Sequence, residues 1–79
     1  MEIKVLGSGC SRCNVLENAV KQAVSEIGIT DEVEKVSDIQ KIMEYGVMRT
    51  PALIINGQIA VSGQVPSVKE LKEIIIKYQ

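Results

Sequence analysis

The stretch GSGCSRC, residues 7–13, contains both cysteines of this 79-residue chain. A short apolar run at residues 3–6 precedes it and predicts a strand, and the pattern that follows it predicts a helix. Cys10 and Cys13 therefore lie at a strand-to-helix turn, and their spacing places both thiols on one side of the first helical turn. This geometry allows two sulfurs to form and break a disulfide with little movement of the backbone.

The start of a helix also favours the reactive form of a cysteine. Unpaired backbone N–H groups stabilise a thiolate there, and Arg12 adds a cation between the two thiols. We expect Cys10, at the cap, to be the exposed nucleophile and Cys13, one turn further in, to be the buried resolving residue. For Arg12 two interpretations stay open: it is a solvated helix residue, or it promotes the thiolate or meets an acidic partner.

The first half of the chain contains two helical patterns and two strand patterns. Apolar residues recur at the helical period from Ser11 to Ile27, and Gly28 is expected to end this helix in a left-handed conformation. Residues 33–36 are a weaker strand candidate. A shorter helix follows, for which Ser37 is the expected cap in a capping box with Gln40. Its expected apolar stripe consists of Ile39, Ile42 and Met43.

The second half predicts a hairpin followed by a helix. The continuous apolar run at residues 52–55 indicates a buried strand, and Asn56-Gly57 is typical of a two-residue type I′ turn into a returning strand at residues 58–62. Ser67 and Glu70 then form a second capping box that opens the last helix. The apolar positions of that helix are Val68, Leu71, Ile74, Ile75 and Tyr78.

The predicted order is β-α-β-α-β-β-α, in a single domain spanning residues 1–79. A helix between the first two strands implies a parallel pair, whereas the hairpin makes the last two strands antiparallel. We therefore expect an α/β fold with a four-stranded mixed sheet and helices on both faces. The cysteine pair lies beyond the carboxyl end of the first strand, where sites of open α/β sheets usually fall.

Composition narrows the classes of function. The net charge of −1 gives no argument for binding nucleic acid or an anionic membrane, and no apolar run is long enough to span a bilayer. The first residues do not form a signal-peptide pattern, so the expected location is the cytoplasm. Because cytoplasmic thiols are kept reduced, a lone cysteine pair there is more often catalytic or metal-binding than structural.

Three features at matching relative positions resemble the thioredoxin-like proteins, in particular their very small prokaryotic redox-active disulfide branch. They are GCSRC at residues 9–13, Thr50-Pro51 before the third strand, and Gly63 after the hairpin. The resemblance covers essentially the whole chain. It implies that Pro51 is a cis proline packed beside the disulfide and that Thr50 pairs its backbone with an extended substrate.

The chain departs from the thioredoxin pattern in three places. Gly9 precedes the first cysteine where thioredoxins usually have Trp, Ser11 and Arg12 replace the usual Gly-Pro between the cysteines, and Lys4 occupies the position of the typical buried carboxylate. The glutathione-binding Gly-Gly and acidic residue of glutaredoxins are absent from residues 62–66, so glutathione is not supported as a dedicated substrate. Around Cys10 and Cys13, the residues expected to contact substrate are Gly9, Ser11, Arg12, Thr50, Pro51 and Gly63.

The sequence therefore predicts a monomeric thiol-disulfide oxidoreductase that acts through a redox-active disulfide, Cys10–Cys13, without a separate cofactor or metal. Its predicted partners are disulfide-containing proteins and an electron-donating reductase. Two alternatives use the same thiols: a carrier for a soft metal ion, and a redox-sensing interaction module. Metallochaperones of this kind end on a strand, whereas this chain is predicted to end on a helix, and it contains no histidine.

Overall fold

The computed structural model describes residues 1–7 and 11–79. Within them the chain forms four strands and three helices in the predicted order. The elements are β1 (Ile3–Leu6), α1 (Ser11–Glu26), β2 (Val33–Val36), α2 (Ile39–Glu44), β3 (Ala52–Ile55), β4 (Gln58–Ser62) and α3 (Val68–Lys77).

The four strands form one mixed sheet in the order β2-β1-β3-β4. β1 is parallel to β2 and antiparallel to β3, and β3 is antiparallel to β4. The α/β fold with a mixed four-stranded sheet is thus confirmed. β1 is a central strand, so its carboxyl end lies in the middle of one edge of the sheet. The sequence segment that contains the cysteines follows β1 directly.

The helices cover both faces of this sheet. On one face Ile3 and Val5 of β1 point into the larger core cluster, together with buried side chains of α1 and α3. On the other face Leu6 joins a smaller cluster beneath α2 that includes Ile42 and Ile54. Alternate side chains of β1 and β3 therefore pack into the two hydrophobic clusters on opposite faces of the sheet, because successive side chains of a strand point to opposite faces.

Two helix ends follow the predicted chemistry. Gly28 has a φ of 81°, and the N–H groups of Gly28 and Ile29 donate to the carbonyls of Ser25 and Val24, which is the hydrogen-bond pattern of a Schellman motif. At the start of α3, the Ser67 side chain accepts from the N–H of Glu70, whose carboxylate in turn accepts from the Ser67 N–H. The predicted capping box is confirmed.

The hairpin is also as predicted. Asn56 and Gly57 form a two-residue turn, with φ values of 52° and 81°, and Ile55 pairs with Gln58. Both central residues have the positive φ that a type I′ turn requires. The sequence pattern did not reveal a β-bulge in β4, where the register shifts between Leu53 and Ile54 and leaves Ala60 as the extra residue.

Helix α2 differs from the expectation in two respects. Its N-cap is Asp38, whose side chain accepts from the N–H of Gln40, so the prediction of Ser37 as the cap is wrong. Of the expected apolar stripe only Ile42 is buried, whereas Ile39 and Met43 are more than half exposed. A helix of six residues presents too little surface to the sheet to bury three large side chains.

Candidate functional site

The site begins at the amino-terminal end of α1. Ser11 is the first residue of this helix and is exposed, as is Arg12. Cys13 follows in the first turn and is completely buried. The predicted site residues Gly9 and Cys10 lie outside the described residues, so the predicted roles of these two stay predictions.

Gly7 closes the space beside the buried cysteine. Its N–H donates to the carbonyl of Val36 at 3.0 Å, which extends the pairing of β1 with β2 by one residue. A Cβ atom built on Gly7 would lie 2.8 Å from the Cβ of Cys13 and would overlap its Sγ. A residue without a side chain is therefore required here, since only glycine lets the strand end pass this close to the cysteine.

A second segment, residues 49–51, approaches from the start of β3. The Thr50–Pro51 peptide bond is cis. The carbonyls on either side of Thr50 are held by the end of β4: the Ser62 hydroxyl donates to the Arg49 carbonyl at 3.1 Å, and the Gly63 N–H donates to the Pro51 carbonyl at 2.8 Å. Pro51 is buried and Thr50 is exposed between these two anchors.

Gly63 connects the start of α1 with the segment at residues 49–51. The Arg12 guanidinium of α1 donates to the Gly63 carbonyl at 3.1 Å, while the Gly63 N–H is bonded to Pro51. Gly63 has a φ of 74°, and a Cβ there would lie 2.9 Å from the Cβ of Arg49. One glycine thus contacts the helix start and the proline loop, and both its conformation and its packing exclude a side chain.

Lys4 lies on β1, and its side chain contacts Tyr45 and two carboxylates. Its ammonium donates to the Tyr45 hydroxyl at 2.7 Å and lies 5.4 Å from the centroid of the Tyr45 ring. The carboxylates of Glu2 and Glu34 lie 3.6 and 3.8 Å away. The hydrogen bond to Tyr45, followed by the nearby carboxylates, raises the pKa of Lys4 above its ordinary value of 10.5. This side chain is therefore a held cation and not a proton acceptor near neutral pH.

Four of the residues predicted to contact substrate are brought together: Arg12, Thr50, Pro51 and Gly63 form one edge, and Ser11 begins the helix that carries Arg12. Two further residues contribute to the site that the sequence pattern did not indicate. Arg49 packs on Gly63, and nothing in its sequence context indicated this contact. Gly7 packs against Cys13 and leaves no room there for a side chain.

The mixed sheet, the helix that starts beside its central strand and the proline loop joined to that start through Gly63 are the arrangement of a thioredoxin-like thiol-disulfide oxidoreductase. A family model described as "Thioredoxin domain" matches residues 1–76. A protein named Thioredoxin from Methanothermobacter thermautotrophicus is 37% identical over 75 residues, which is 95% of this chain and 97% of the relative. Another protein named Thioredoxin, from Methanocaldococcus jannaschii, is 41% identical over 76 residues, covering 96% of this chain and 87% of the relative.

The chain belongs to the thioredoxin family. It is a protein-disulfide oxidoreductase of the thioredoxin type, as the sequence predicted. No helix within residues 1–7 and 11–79 combines the length and the apolar character needed to cross a bilayer.

Proposed function

We propose that this protein reduces disulfide bonds in other proteins, with Cys10 as the nucleophile and Cys13 as the resolving residue. The observation that carries the proposal is the convergence of the helix start and the proline loop on Gly63, through the hydrogen bonds of Arg12 and Pro51. This arrangement supplies an exposed backbone edge directly beside the helical turn that contains Cys13. An extended substrate can pair along such an edge while its disulfide faces the thiols.

The reaction proceeds in two exchange steps. The Cys10 thiolate attacks one sulfur of the substrate disulfide, the substrate S–S bond breaks, and the departing sulfur leaves as a thiolate that takes up a proton. Cys13, as a thiolate, then attacks the Cys10 sulfur of the mixed disulfide and displaces the second substrate thiolate. The substrate has gained two electrons and two protons, and the protein is left with a Cys10–Cys13 disulfide.

The complete burial of Cys13 supports the division of roles between the two cysteines. A thiol with no exposed surface cannot meet an incoming substrate disulfide, but it can attack the sulfur of a cysteine three residues before it in the sequence. The close approach of Gly7 fixes the side chain of Cys13 on the sheet side of the helix. Attack from within the protein is therefore the role that its position favours.

Turnover requires an external source of electrons. The sequence contains no dinucleotide-binding fingerprint, so we assign re-reduction of Cys10–Cys13 to a partner reductase or a small thiol. The residues proposed to receive the substrate are Gly9, Ser11, Arg12, Thr50, Pro51 and Gly63. The proposed setting is the cytoplasm, where a reducing pool keeps such a pair in the dithiol state, and the proposed active form is a monomer.

Trapping of the mixed disulfide tests the roles of the two thiols. Cys13→Ser is expected to accumulate a covalent adduct with a disulfide-containing protein such as insulin, because the second exchange step is blocked. Cys10→Ser is expected to give no adduct and no reduction of insulin. Non-reducing electrophoresis and mass spectrometry measure both. An adduct with Cys10→Ser and none with Cys13→Ser would reverse the assignment.

A redox titration separates the proposal from the two alternatives. The wild-type thiols, read by the mass shift of an alkylating agent, are expected to show one two-electron transition at or below roughly −200 mV, unchanged by zinc. Stoichiometric protection of the thiols by metal without cycling would favour the carrier. A reversible transition without turnover on insulin would favour the redox-sensing module.

A further inference from the structure

The two arginines of the chain lie at the same edge of the site. Arginine occurs only at positions 12 and 49, and the other seven basic residues are lysines in a chain whose net charge is −1. Both arginines contact Gly63, one through a hydrogen bond of 3.1 Å and the other through its aliphatic stem. The edge that is proposed to receive the substrate therefore carries two positive charges, although the protein as a whole is slightly acidic.

Arg49 is held along its aliphatic stem and Arg12 by one guanidinium nitrogen, and both residues are exposed. A Cβ on Gly63 would lie 2.9 Å from the Cβ and 3.1 Å from the Cδ of Arg49, so the stem of Arg49 lies against the Gly63 backbone. The carbonyl of Arg49 is fixed in turn by the Ser62 hydroxyl. Arg12 is attached to the same backbone by a single guanidinium nitrogen, which leaves its other N–H donors available.

Within residues 1–7 and 11–79, neither guanidinium forms an ion pair with a carboxylate of the protein. The first turn of α1 contains no acidic residue, so no carboxylate of that turn offsets the positive end of the helix. Four of the seven lysines, in contrast, lie within 4 Å of a carboxylate: Lys4, Lys21, Lys35 and Lys72. Two exposed guanidinium groups that contact the same glycine and lack a carboxylate of the protein indicate a site for an anion supplied by a partner.

We infer that Arg12 and Arg49 determine substrate specificity by binding a carboxylate next to the disulfide under attack, so that the preferred substrates are acidic peptide segments. The inference rests on the proposed function, because it concerns the same edge. A planar guanidinium with several donors suits a carboxylate better than an ammonium does. An extended acidic segment lying along the exposed Thr50 would place its side chains between the two arginines.

The test compares three synthetic peptide disulfides that differ only in the residues flanking the cysteine, which are Asp, Asn or Lys. For the wild type at low salt we expect kcat/KM to be about fivefold higher for the Asp peptide than for the Asn peptide, and lower again for the Lys peptide. At about 0.5 M salt the preference is expected to shrink, because exposed charges are screened. The ratio between peptides is the readout, since any change in thiol reactivity affects all three equally.

Matched variants test whether the two arginines cause the difference in kcat/KM between the Asp and Asn peptides. Arg12→Gln with Arg49→Gln is expected to bring the Asp-to-Asn ratio close to one, while Arg12→Lys with Arg49→Lys should retain part of it. Lys77→Gln removes a positive charge from the last turn of α3, which lies beside the β3–β4 turn at the opposite end of the sheet, and should preserve the ratio.

An unchanged ratio in the double Gln variant, or an equal loss in Lys77→Gln, would overturn the inference and leave the reductase activity standing. Failure of the wild type to reduce any of the three peptides, or insulin, would instead remove the proposed function and the inference with it. Reduction of the Asn peptide by the wild type is thus the observation that separates the two results.

Discussion

Replacing Gly7 by alanine tests the closest contact described in the site. Gly7 does not have a positive φ, so alanine can adopt its backbone conformation. The added methyl group, however, would lie 2.8 Å from the Cβ of Cys13 and would overlap its sulfur. Cys13 is completely buried in the first turn of α1, so it has no exposed side toward which it can move.

Two opposing effects determine how much Gly7→Ala changes the free energy of unfolding. Alanine restricts the unfolded chain and would by itself stabilise the protein by about 0.4–1 kcal/mol. Overpacking of a filled interior costs about 1–3 kcal/mol. The cost of overpacking is the larger effect, so we expect the free energy of unfolding to fall by about 1–2 kcal/mol. For a domain of this size, that loss lowers Tm by about 5–15 °C.

The assay is urea unfolding of Gly7→Ala and of the wild type with both thiols reduced, combined with the rate of insulin reduction. Gly57→Ala is the matched control: it strains a residue whose φ is 81°, with no atom within 4 Å of the new methyl group, at the opposite end of β3. Both variants should lose stability, but only Gly7→Ala should also slow disulfide exchange. A Gly7→Ala protein as stable as the wild type would refute the reasoning, because it would show that Cys13 can yield.

Three further changes test other contacts. Ser67→Ala removes the cap of α3 and should cost about 1 kcal/mol in urea unfolding, with no effect on insulin reduction; an unchanged midpoint would show that the cap is dispensable. Hydrogen bonds from Lys72 and Gln22 lower the pKa of Glu26 below its ordinary value of 4.5, so Glu26 stabilises the fold above that pH and the contribution is lost as the pH falls through the folded-state pKa. Glu26→Gln should therefore lower the urea midpoint near neutral pH but not well below pH 4.5, and a loss of equal size at both would point to packing. Tyr45→Phe should bring the pKa of the adjacent lysine down toward 10.5 in an NMR titration, and an unmoved pKa would show that the neighbouring carboxylates suffice.

Most of the fold could be predicted from the sequence because its signals are local. The Gly28 stop, the Asn56-Gly57 turn and the capping box at Ser67 each depend on the conformation or hydrogen bonding of a few adjacent residues. The period of the apolar residues then determines which face of α1 is buried. Where local signals conflicted, the prediction was wrong: both Ser37 and Asp38 are good N-caps, and the sequence offers no way to choose between them.

The site was only partly predictable, because its contacts join residues distant in the sequence. The spacing of the two cysteines indicated the chemistry, and the resemblance to thioredoxin-like proteins indicated Thr50 and Pro51. The contact of Gly7 with Cys13 depends on how α1 lies on the end of β1, which no periodic pattern describes.

The edge of the site that carries Arg12 and Arg49 shows why the pattern of charges along a sequence is a poor guide to substrate recognition. Arg12 and the carbonyl it binds are 51 residues apart, and Arg49 reaches the same glycine from a third segment. In the sequence these are two isolated cations among many charges. Only their contacts with Gly63 bring them to the same edge of the site, where, within residues 1–7 and 11–79, neither guanidinium has a carboxylate partner. Specificity at this edge is thus expected to come from charge, because both arginines are exposed beside the residues proposed to receive the substrate.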